Sequence, residues 1–461
     1  MLPDARLSHG HERTPVNYSP RDLAHVVCDV LGKRGIATPR VQTLVVLFET
    51  MYFTSLRTEE GSSLSCHVIW LDPGDPDPER PARLSGDRWT FIPLADPIPL
   101  TVRSLAKLSR ATDPRTSSFV VYGADPASLH LYGFVDQGNQ FYEFINDSGG
   151  TSPERPGLFQ ASIEGVGHLI VHTGYEIIAE LRMNELAGTP IDVLSSGPVF
   201  QKLRPHIIRH IVEVMECVAP DAYESGDDWP ASLANTWIAS LCRLLLRCQN
   251  YRHGGALLIT PERVAPGLNQ KYALNYDRLP RALIRRGAHE IMRLAASRTL
   301  RNDYLNAEDP HRIDIPCELY LDESLNDTYV QEATNAVDGA IWFVSLLSRV
   351  DGLVLLDPSL RVRAFGVEIT IADDPGDVYL ACDAEGTEEL LQEFDYGNFG
   401  TRHRSMIRYC AGSPDSLGFV ISQDGDVRAI ANVNGRVLVW DNIALRLDAF
   451  LKGQATSLAK D

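Results

Sequence analysis

The sequence contains no long apolar run and no closely paired cysteines. No stretch reaches the roughly 20 residues that cross a bilayer, and the opening segment, MLPDARLSHGHERTP, is polar and lacks the apolar centre of a secretory signal. None of the eight cysteines stands in a CxxC pair, so the spacing of a zinc ribbon is absent. We therefore expect a cytoplasmic protein with reduced, buried thiols and no membrane partner.

Positive charge is also scarce. Lys and Arg number 43 against 61 Asp and Glu, which gives a formal net charge of −18. Long-range repulsion of this size opposes binding to the phosphate backbone of DNA or RNA, so no nucleic-acid partner is expected. An anionic ligand would need a local cationic pocket.

Four common catalytic and phosphate-binding motifs are missing. The sequence has no GxxxxGK(S/T) loop, no GxGxxG after a strand, no GxSxG elbow and no HExxH. His206 and His210 have the i, i+4 spacing of two metal ligands on one helix. Because neither a following Glu nor a third ligand is evident, surface histidines are the better interpretation.

The length of 461 residues corresponds to two to four domains of ordinary size. Apolar residues have helical spacing near residues 20–55, and short strand-like runs follow them. Further helices come next, and a second set of strands follows a long apolar helix. This order predicts an α/β (α+β) protein with an α+β N-terminal domain at 1–195, a helical or mixed connecting region at 196–310 and a mixed sheet flanked by helices at 311–461. The acidic stretch 373–395 predicts a solvated loop with a short helix.

One cationic segment is a candidate phosphate site. Gly400-Thr401-Arg402-His403-Arg404 stands where a loop enters a helical stretch. Free backbone N–H groups and the helix dipole at such a point attract anions. Thr401 adds a hydroxyl and Arg402 a planar fork that fits phosphate oxygens. A surface basic patch or a structural salt bridge is the alternative.

Asp351-Gly352 precedes the strand pair LVLLD and RVRAFG. Its carboxylate complements the positive charge of the cationic segment. A carboxylate followed by glycine can approach a ligand hydroxyl or a metal closely. A second Asp-Gly-Ala, at residues 338–340, lies inside the long helical run, and we reject it for that reason.

Together these segments resemble the diadenylate cyclase (DAC) domain family, which carries Asp-Gly-Ala, Arg-His-Arg and a Ser-Glu-Glu-like turn. The corresponding residues here are Asp351-Gly352-Leu353, Arg402-His403-Arg404 and Ser422-Gln423-Asp424. The resemblance covers about the last third of the chain, and the preceding part is similar to sensor regions of bacterial cyclases. Leu353 and Gln423 depart from the family pattern and leave room for weakened activity.

The resemblance implies that two ATP molecules condense to cyclic di-AMP and two pyrophosphates, with Mg²⁺ or Mn²⁺ as cofactor. It implies that Asp351, Arg402 and His403 are catalytic and that Asp351 and Asp424 bind the metal. The implied ATP-binding residues are Gly352, Leu353, Thr401, Arg404 and Ser422, with Arg404 also bracing the loop through an internal ion pair. Two DAC domains face to face in a homo-oligomer would be required. A nucleotide-binding signalling module without turnover is the alternative.

Overall fold

The computed structural model describes residues 17–33, 35–36, 38–59, 61–75, 89–112, 116–125, 128–136, 159–173, 176–187, 190–218, 229–251, 253–261, 267–300, 317–423 and 425–445. The protein has the expected α+β fold and divides into two compact units, Met1–Thr189 and Pro190–Asp461. None of the helices in these ranges combines the length and hydropathy needed to cross a membrane.

The N-terminal unit consists of helices packed on one face of a mixed sheet. Its helices are α1 (Pro20–Lys33), α2 (Val41–Ser55) and α3 (Val102–Leu108). Its strands are β1 (Thr58–Glu59), β2 (Ser62–Ser63), β3 (Cys66–Trp70), β4 (Thr90–Pro99), β5 (Ser117–Tyr122), β6 (His130–Asp136), β7 (Phe159–Gly165), β8 (His168–Thr173), β9 (Glu176–Arg182) and β10 (Glu185–Ala187). Eight of these strands form one sheet in the order β10-β9-β8-β7-β3-β5-β6-β4, and β1 pairs with β2.

The spacing of apolar residues explains how the first helix packs. Leu23, Val27 and Leu31 follow each other at intervals of four and are fully buried. This spacing places them on one face of α1, where they join a core with α2 and the sheet strands. The sequence pattern predicts these two helices correctly.

The C-terminal unit contains five helices and nine strands in its described residues. The helices are α4 (Gly197–Met215), α5 (Trp229–Asn250), α6 (Arg278–Leu300), α7 (Cys317–Leu347) and α8 (Thr401–Gly412). The strands are β11 (Gly255–Ile259), β12 (Leu268–Tyr276), β13 (Leu353–Leu356), β14 (Val362–Ile369), β15 (Val378–Ala381), β16 (Leu391–Glu393), β17 (Leu417–Ile421), β18 (Val427–Val433) and β19 (Arg436–Trp440).

These strands form a single mixed sheet in the order β12-β14-β13-β11-β17-β18-β19-β15-β16. Helices α4–α7 cover one face of the sheet, and α8 packs on the other. Along β11, Leu257 and Ile259 point to the four helices, whereas Ala256 and Leu258 point to α8. A central strand buried on both faces reads as a continuous apolar run, which is the pattern of GALLI.

The sheet crosses the domain boundary predicted at residue 310, which itself lies outside the described residues. Strands β11 and β12 come from the predicted connecting region, and β11 pairs with both β13 and β17. Ile191, near the start of this unit in the sequence, also forms a parallel β-bridge with Ile443, near its end. The structure therefore differs from the three-part prediction: residues 190–461 form one unit, because the connecting region supplies a central strand.

The cysteines only partly follow the expectation of buried thiols. None of the eight forms a disulfide, and Cys66, Cys242, Cys248 and Cys410 are buried. Burial raises the pKa of the Cys66 and Cys410 thiols to about 12, so both stay protonated. The exposed cysteines, which do not fit the expectation, are Cys217, Cys317 and Cys382.

Candidate functional site

The candidate site lies at one end of the central strands of the C-terminal sheet. Parallel strands β11 and β13 both begin there, directly after Gly254 and Gly352. Strand β17 runs antiparallel to β11 and ends there, with Ile421 opposite Gly255. The topology thus brings together three chain segments that are far apart in the sequence.

Arg402 and Asp351 face each other at this end of the sheet. The guanidinium Nη2 lies 3.5 Å from the carboxylate Oδ1, across 51 residues of sequence. The Asp351 side chain is 90% exposed and that of Arg402 is 34% exposed. Such a long, solvated ion pair contributes little stability, so both groups remain available to a ligand. The structure brings together the two segments that the sequence analysis selected.

Two glycines next to this pair allow a close approach that a larger residue would prevent. Gly254 has φ +69°, and a Cβ atom there would lie 2.9 Å from Nη1 of Arg402. Gly352 has φ +112°, and a Cβ atom there would lie 2.6 Å from the carbonyl carbon of Gly366. Gly352 is therefore required because it packs on the backbone of β14, a reason that the Asp-Gly pattern alone does not reveal.

The cationic segment is already helical at Thr401, earlier than the sequence pattern suggests. Helix α8 begins there after Gly400, and Thr401 is exposed. Successive residues of an α-helix point about 100° apart. Arg402, His403 and Arg404 therefore point in three directions. The four predicted donors do not form one continuous cradle, and only Arg402 reaches Asp351.

His403 points toward the neighbouring strand β18. Its Nε2 lies 3.0 Å from Nη1 of Arg428, and its ring centroid lies 5.5 Å from that of Phe399. Burial, and then the charge of Arg428, lower the pKa of His403 to about 4, so it is neutral at pH 7. Because arginine has no acceptor, Nε2 accepts this hydrogen bond and Nδ1 carries the proton. Only Nδ1 is then free to donate to a phosphate.

We expect this shift in pKa to make folding depend on pH. Between about pH 6.5 and pH 4 the unfolded chain protonates His403 while the folded protein does not, so stability falls as pH is lowered through this window. Urea midpoints measured from pH 7 to pH 4 should fall less steeply for His403→Gln than for the wild type. A matched variant at an exposed residue of α4 that does not titrate, Gln201→Asn, should keep the wild-type slope. Equal slopes for His403→Gln and the wild type would contradict the assignment.

Arg428 is a residue that the sequence analysis missed. Its Nε lies 2.7 Å from Asp441 and its Nη2 lies 3.7 Å from Asp426. Its guanidinium carbon also lies 5.2 Å from the centroid of the Phe399 ring. The available signal was an arginine among the apolar residues of a strand, between buried Val427 and buried Ala429. It fixes the ring of His403 from a second element of the fold.

Arg404 has no internal ion pair in the described part of the chain, contrary to its predicted bracing role. Its Nε is buried and has no hydrogen-bond partner. The backbone N–H of Arg404 donates to Gly400 O at 3.3 Å, as expected in the first turn of a helix. Its side chain is thus neither a brace nor part of the Arg402–Asp351 pair.

Two residues of the third predicted segment, Ser422 and Gln423, lie in the turn between β17 and β18. The Ser422 backbone N–H donates to Asp426 O at 2.9 Å, and the Asp426 N–H donates to Ser422 Oγ at 3.0 Å. Ser422 therefore stabilises the turn, and its hydroxyl hydrogen is still available to a ligand. Gln423 lies beside Gly254 and Arg402. Asp424, the predicted second metal ligand, lies outside the described residues.

Leu353 does not line the site with its side chain. It is 4% exposed and belongs to the core between the sheet and α8. The resemblance to the DAC family implies that this side chain lies beside the nucleotide. The alternation of β13 points it inward instead, so only the backbone of residue 353 is near the site.

The rejected Asp-Gly-Ala triplet lies in the middle of α7, as predicted. The carboxylate of Asp338 is 3.5 Å from Nη1 of Arg243.

The paired histidines lie on α4, but His210 is buried, not at the surface, and burial lowers its pKa to about 4. No cluster of three metal-binding side chains occurs among the described residues.

A separate cleft of about 680 Å³ lies at the opposite end of the same sheet. It is bordered by Lys202 and His206 of α4 and by Asp415 and Asn432 of the strand ends. None of the predicted site residues lines it. The candidate site is therefore the Arg402–Asp351 end, because charged groups of opposite sign meet there next to a helix N-terminus and two closely packed glycines.

Comparison with known proteins concerns the N-terminal unit. Residues 35–136 match the family model described as "Probable sensor domain DACNV". The match ends with β6, while β7–β10 complete the same sheet. No curated protein matches the chain. The N-terminal unit therefore contains a region that is similar to this probable sensor domain.

Proposed function

We propose that the C-terminal unit binds ATP at the Arg402–Asp351 site and condenses two ATP molecules into cyclic di-AMP, under control of the N-terminal sensor region. One observation carries the proposal: a guanidinium and a highly exposed carboxylate lie 3.5 Å apart at the N-terminus of α8. This arrangement suits a ligand with an anionic end and a hydroxyl-bearing end.

The anionic end of the nucleotide is assigned to α8. Arg402 offers a planar fork for phosphate oxygens, and Thr401 adds a hydroxyl beside it. At the start of the helix the backbone N–H of His403 already donates to Gly400 O at 3.1 Å, which leaves the N–H groups of Thr401 and Arg402 without an acceptor inside the helix. The helix dipole favours negative charge at this end. In a protein with a net charge of −18, such a local site is needed to hold a triphosphate.

The reaction proceeds by the same displacement twice. The 3′-oxygen of one ATP forms a bond to the α-phosphorus of the other, and the bond from that phosphorus to the bridging oxygen of pyrophosphate breaks. Asp351 accepts the hydroxyl proton, and pyrophosphate leaves with the bonding electrons. A second displacement closes the ring. Positioning and charge stabilisation supply most of the rate enhancement.

The donor set near Asp351 fits a divalent cation that is held mainly by its substrate. Mg²⁺ is commonly bound by one or two carboxylates together with phosphate oxygens and water. Asp351 supplies one exposed carboxylate, and Asp424 is the second candidate. When bound, Mg²⁺ or Mn²⁺ would neutralise phosphate charge.

A direct assay tests the proposal. Purified full-length protein is incubated with ATP and either Mg²⁺ or Mn²⁺, and the products are identified by mass spectrometry. We expect cyclic di-AMP and two equivalents of pyrophosphate. ATP binding without any cyclic product would instead favour the silent nucleotide-binding module. Absence of ATP binding would refute both.

The proposed reaction also predicts a dependence on protein concentration. One ATP per domain means that two copies must face each other, which implies a homo-oligomer. We expect the rate per protomer to fall on dilution below the dissociation constant of the dimer. Sedimentation velocity at the same concentrations checks that the loss follows dissociation. A constant rate per protomer through complete dissociation would contradict the shared site.

A further inference from the structure

Arg404 and Arg408 form a pair on α8 that takes no part in the Arg402–Asp351 contact. They are four residues apart, so they lie one helical turn apart on one side of the helix. The sheet-facing side of α8 is occupied by Met406, Ile407 and Cys410, which are buried in the core. The arginine pair lies outside this packed side.

Neither side chain has a hydrogen-bond or ion-pair partner among the residues that the structure describes. The Nε atoms of Arg404 and Arg408 are both buried without a hydrogen-bond acceptor. Within the described part of the chain, no carboxylate lies within 4.0 Å of either guanidinium. By contrast, Arg402, Arg428 and Arg436 each have a carboxylate within that distance.

Such a pair is energetically costly without a ligand. Arginine remains charged at every relevant pH, and a partly buried donor without an acceptor loses hydration without compensation. Two adjacent guanidinium groups also repel each other. Acidic residues outnumber basic ones by 61 to 43 in this chain, so the lack of a carboxylate partner does not reflect a shortage of carboxylates.

We propose that Arg404 and Arg408 together bind a phosphoryl oxyanion, at a second anion site distinct from the Arg402–Asp351 pair. The Cβ atoms of residues four apart on a helix are about 6 Å apart, so two guanidinium forks can converge on one tetrahedral group. Planar forks of this type match phosphate oxygens in pairs. The oxyanion belongs either to free phosphate or pyrophosphate or to a bound nucleotide.

The inference does not require cyclase activity, and the test separates the two proposals. Binding of inorganic pyrophosphate to full-length protein is measured by calorimetry in the Arg402→Ala background, which removes the first site. We expect pyrophosphate to bind in this background, and Arg408→Ala or Arg404→Ala to weaken it about 10- to 100-fold. Arg408→Lys should weaken it less, because the charge remains but the fork is lost.

Arg209→Ala serves as the matched control, since Arg209 is an exposed arginine on α4 paired with Glu213. It should leave pyrophosphate affinity unchanged. Circular dichroism checks that each variant is folded. If Arg408→Ala is not folded, Arg408→Gln, which keeps a polar side chain, replaces it. ATP binding to the single Arg408→Ala variant identifies the source: loss indicates a nucleotide phosphate, and wild-type affinity indicates a free anion. Undiminished pyrophosphate binding in both alanine variants, or none in the Arg402→Ala background, would overturn the second site.

Discussion

Arg402→Ala should reduce cyclic di-AMP formation about 100- to 1,000-fold and weaken ATP binding. The expected size is that of removing one donor placed where charge develops in a transition state. Arg402 is the one member of the cationic segment that contacts Asp351. Alanine removes the contact to phosphate and also the long ion pair with Asp351, whose loss costs little stability because the pair is solvated. Cyclic di-AMP is measured by mass spectrometry and ATP affinity by calorimetry.

Two variants make this result specific. Arg402→Lys should recover part of the activity, because lysine keeps the charge and loses the planar fork. Arg361→Ala removes another partly exposed arginine of the same unit, one that lies 3.9 Å from Asp357, and it should retain wild-type activity. If Arg402→Ala forms the dinucleotide at the wild-type rate, phosphate recognition by this residue is wrong. Unchanged thermal unfolding in each variant excludes a loss of fold.

The local features of this protein are readable from its sequence. The helix α1 follows from the spacing of Leu23, Val27 and Leu31, and the buried strand β11 from its continuous apolar run. Periodicity also places the rejected Asp-Gly-Ala triplet within a helix. In each case the signal is the spacing of apolar residues that are close in the sequence. Residues that are close in the sequence also stay close within one helix or strand, so the spacing predicts the element.

Features that depend on distant pairing could not be read in the same way. The boundary predicted at residue 310 failed because β11 pairs with β13 across it. Within the acidic stretch, the structure has strands β15 and β16, of four and three residues. Their charged neighbours suggest a loop, but pairing with β19 places β15 in the sheet.

The candidate site also combines features that the local sequence predicts with features that depend on distant pairing. The sequence pattern predicts that residues 351 and 402 form a complementary pair, but their separation depends on the parallel pairing of β11 with β13 and on the packing of α8. The sequence also suggested that residues 401–404 act together. The helix starts one turn earlier than the sequence pattern suggests, which points these side chains in different directions. Arg402 faces Asp351, His403 faces Arg428, and Arg404 has no side-chain partner in the described ranges.

Asp351→Asn should separate binding from chemistry. Removing a proton acceptor at the attacking hydroxyl should lower the rate of cyclic di-AMP formation about 100-fold or more. ATP binding should persist or tighten, because the carboxylate beside Arg402 both competes for its guanidinium and repels the phosphates. Single-turnover rates and calorimetric ATP affinities, each measured over a range of Mg²⁺ and Mn²⁺ concentrations, distinguish the two effects.

The control is Asp373→Asn, which removes a carboxylate from the exposed acidic stretch and should change neither quantity. An Asp351→Asn rate that returns to the wild-type value at high metal concentration would assign Asp351 to metal binding, not to proton transfer. An unchanged rate at every metal concentration would remove Asp351 from the site altogether. Because Asp351 is 90% exposed and its ion pair with Arg402 is long, a folding defect is not expected to obscure either outcome.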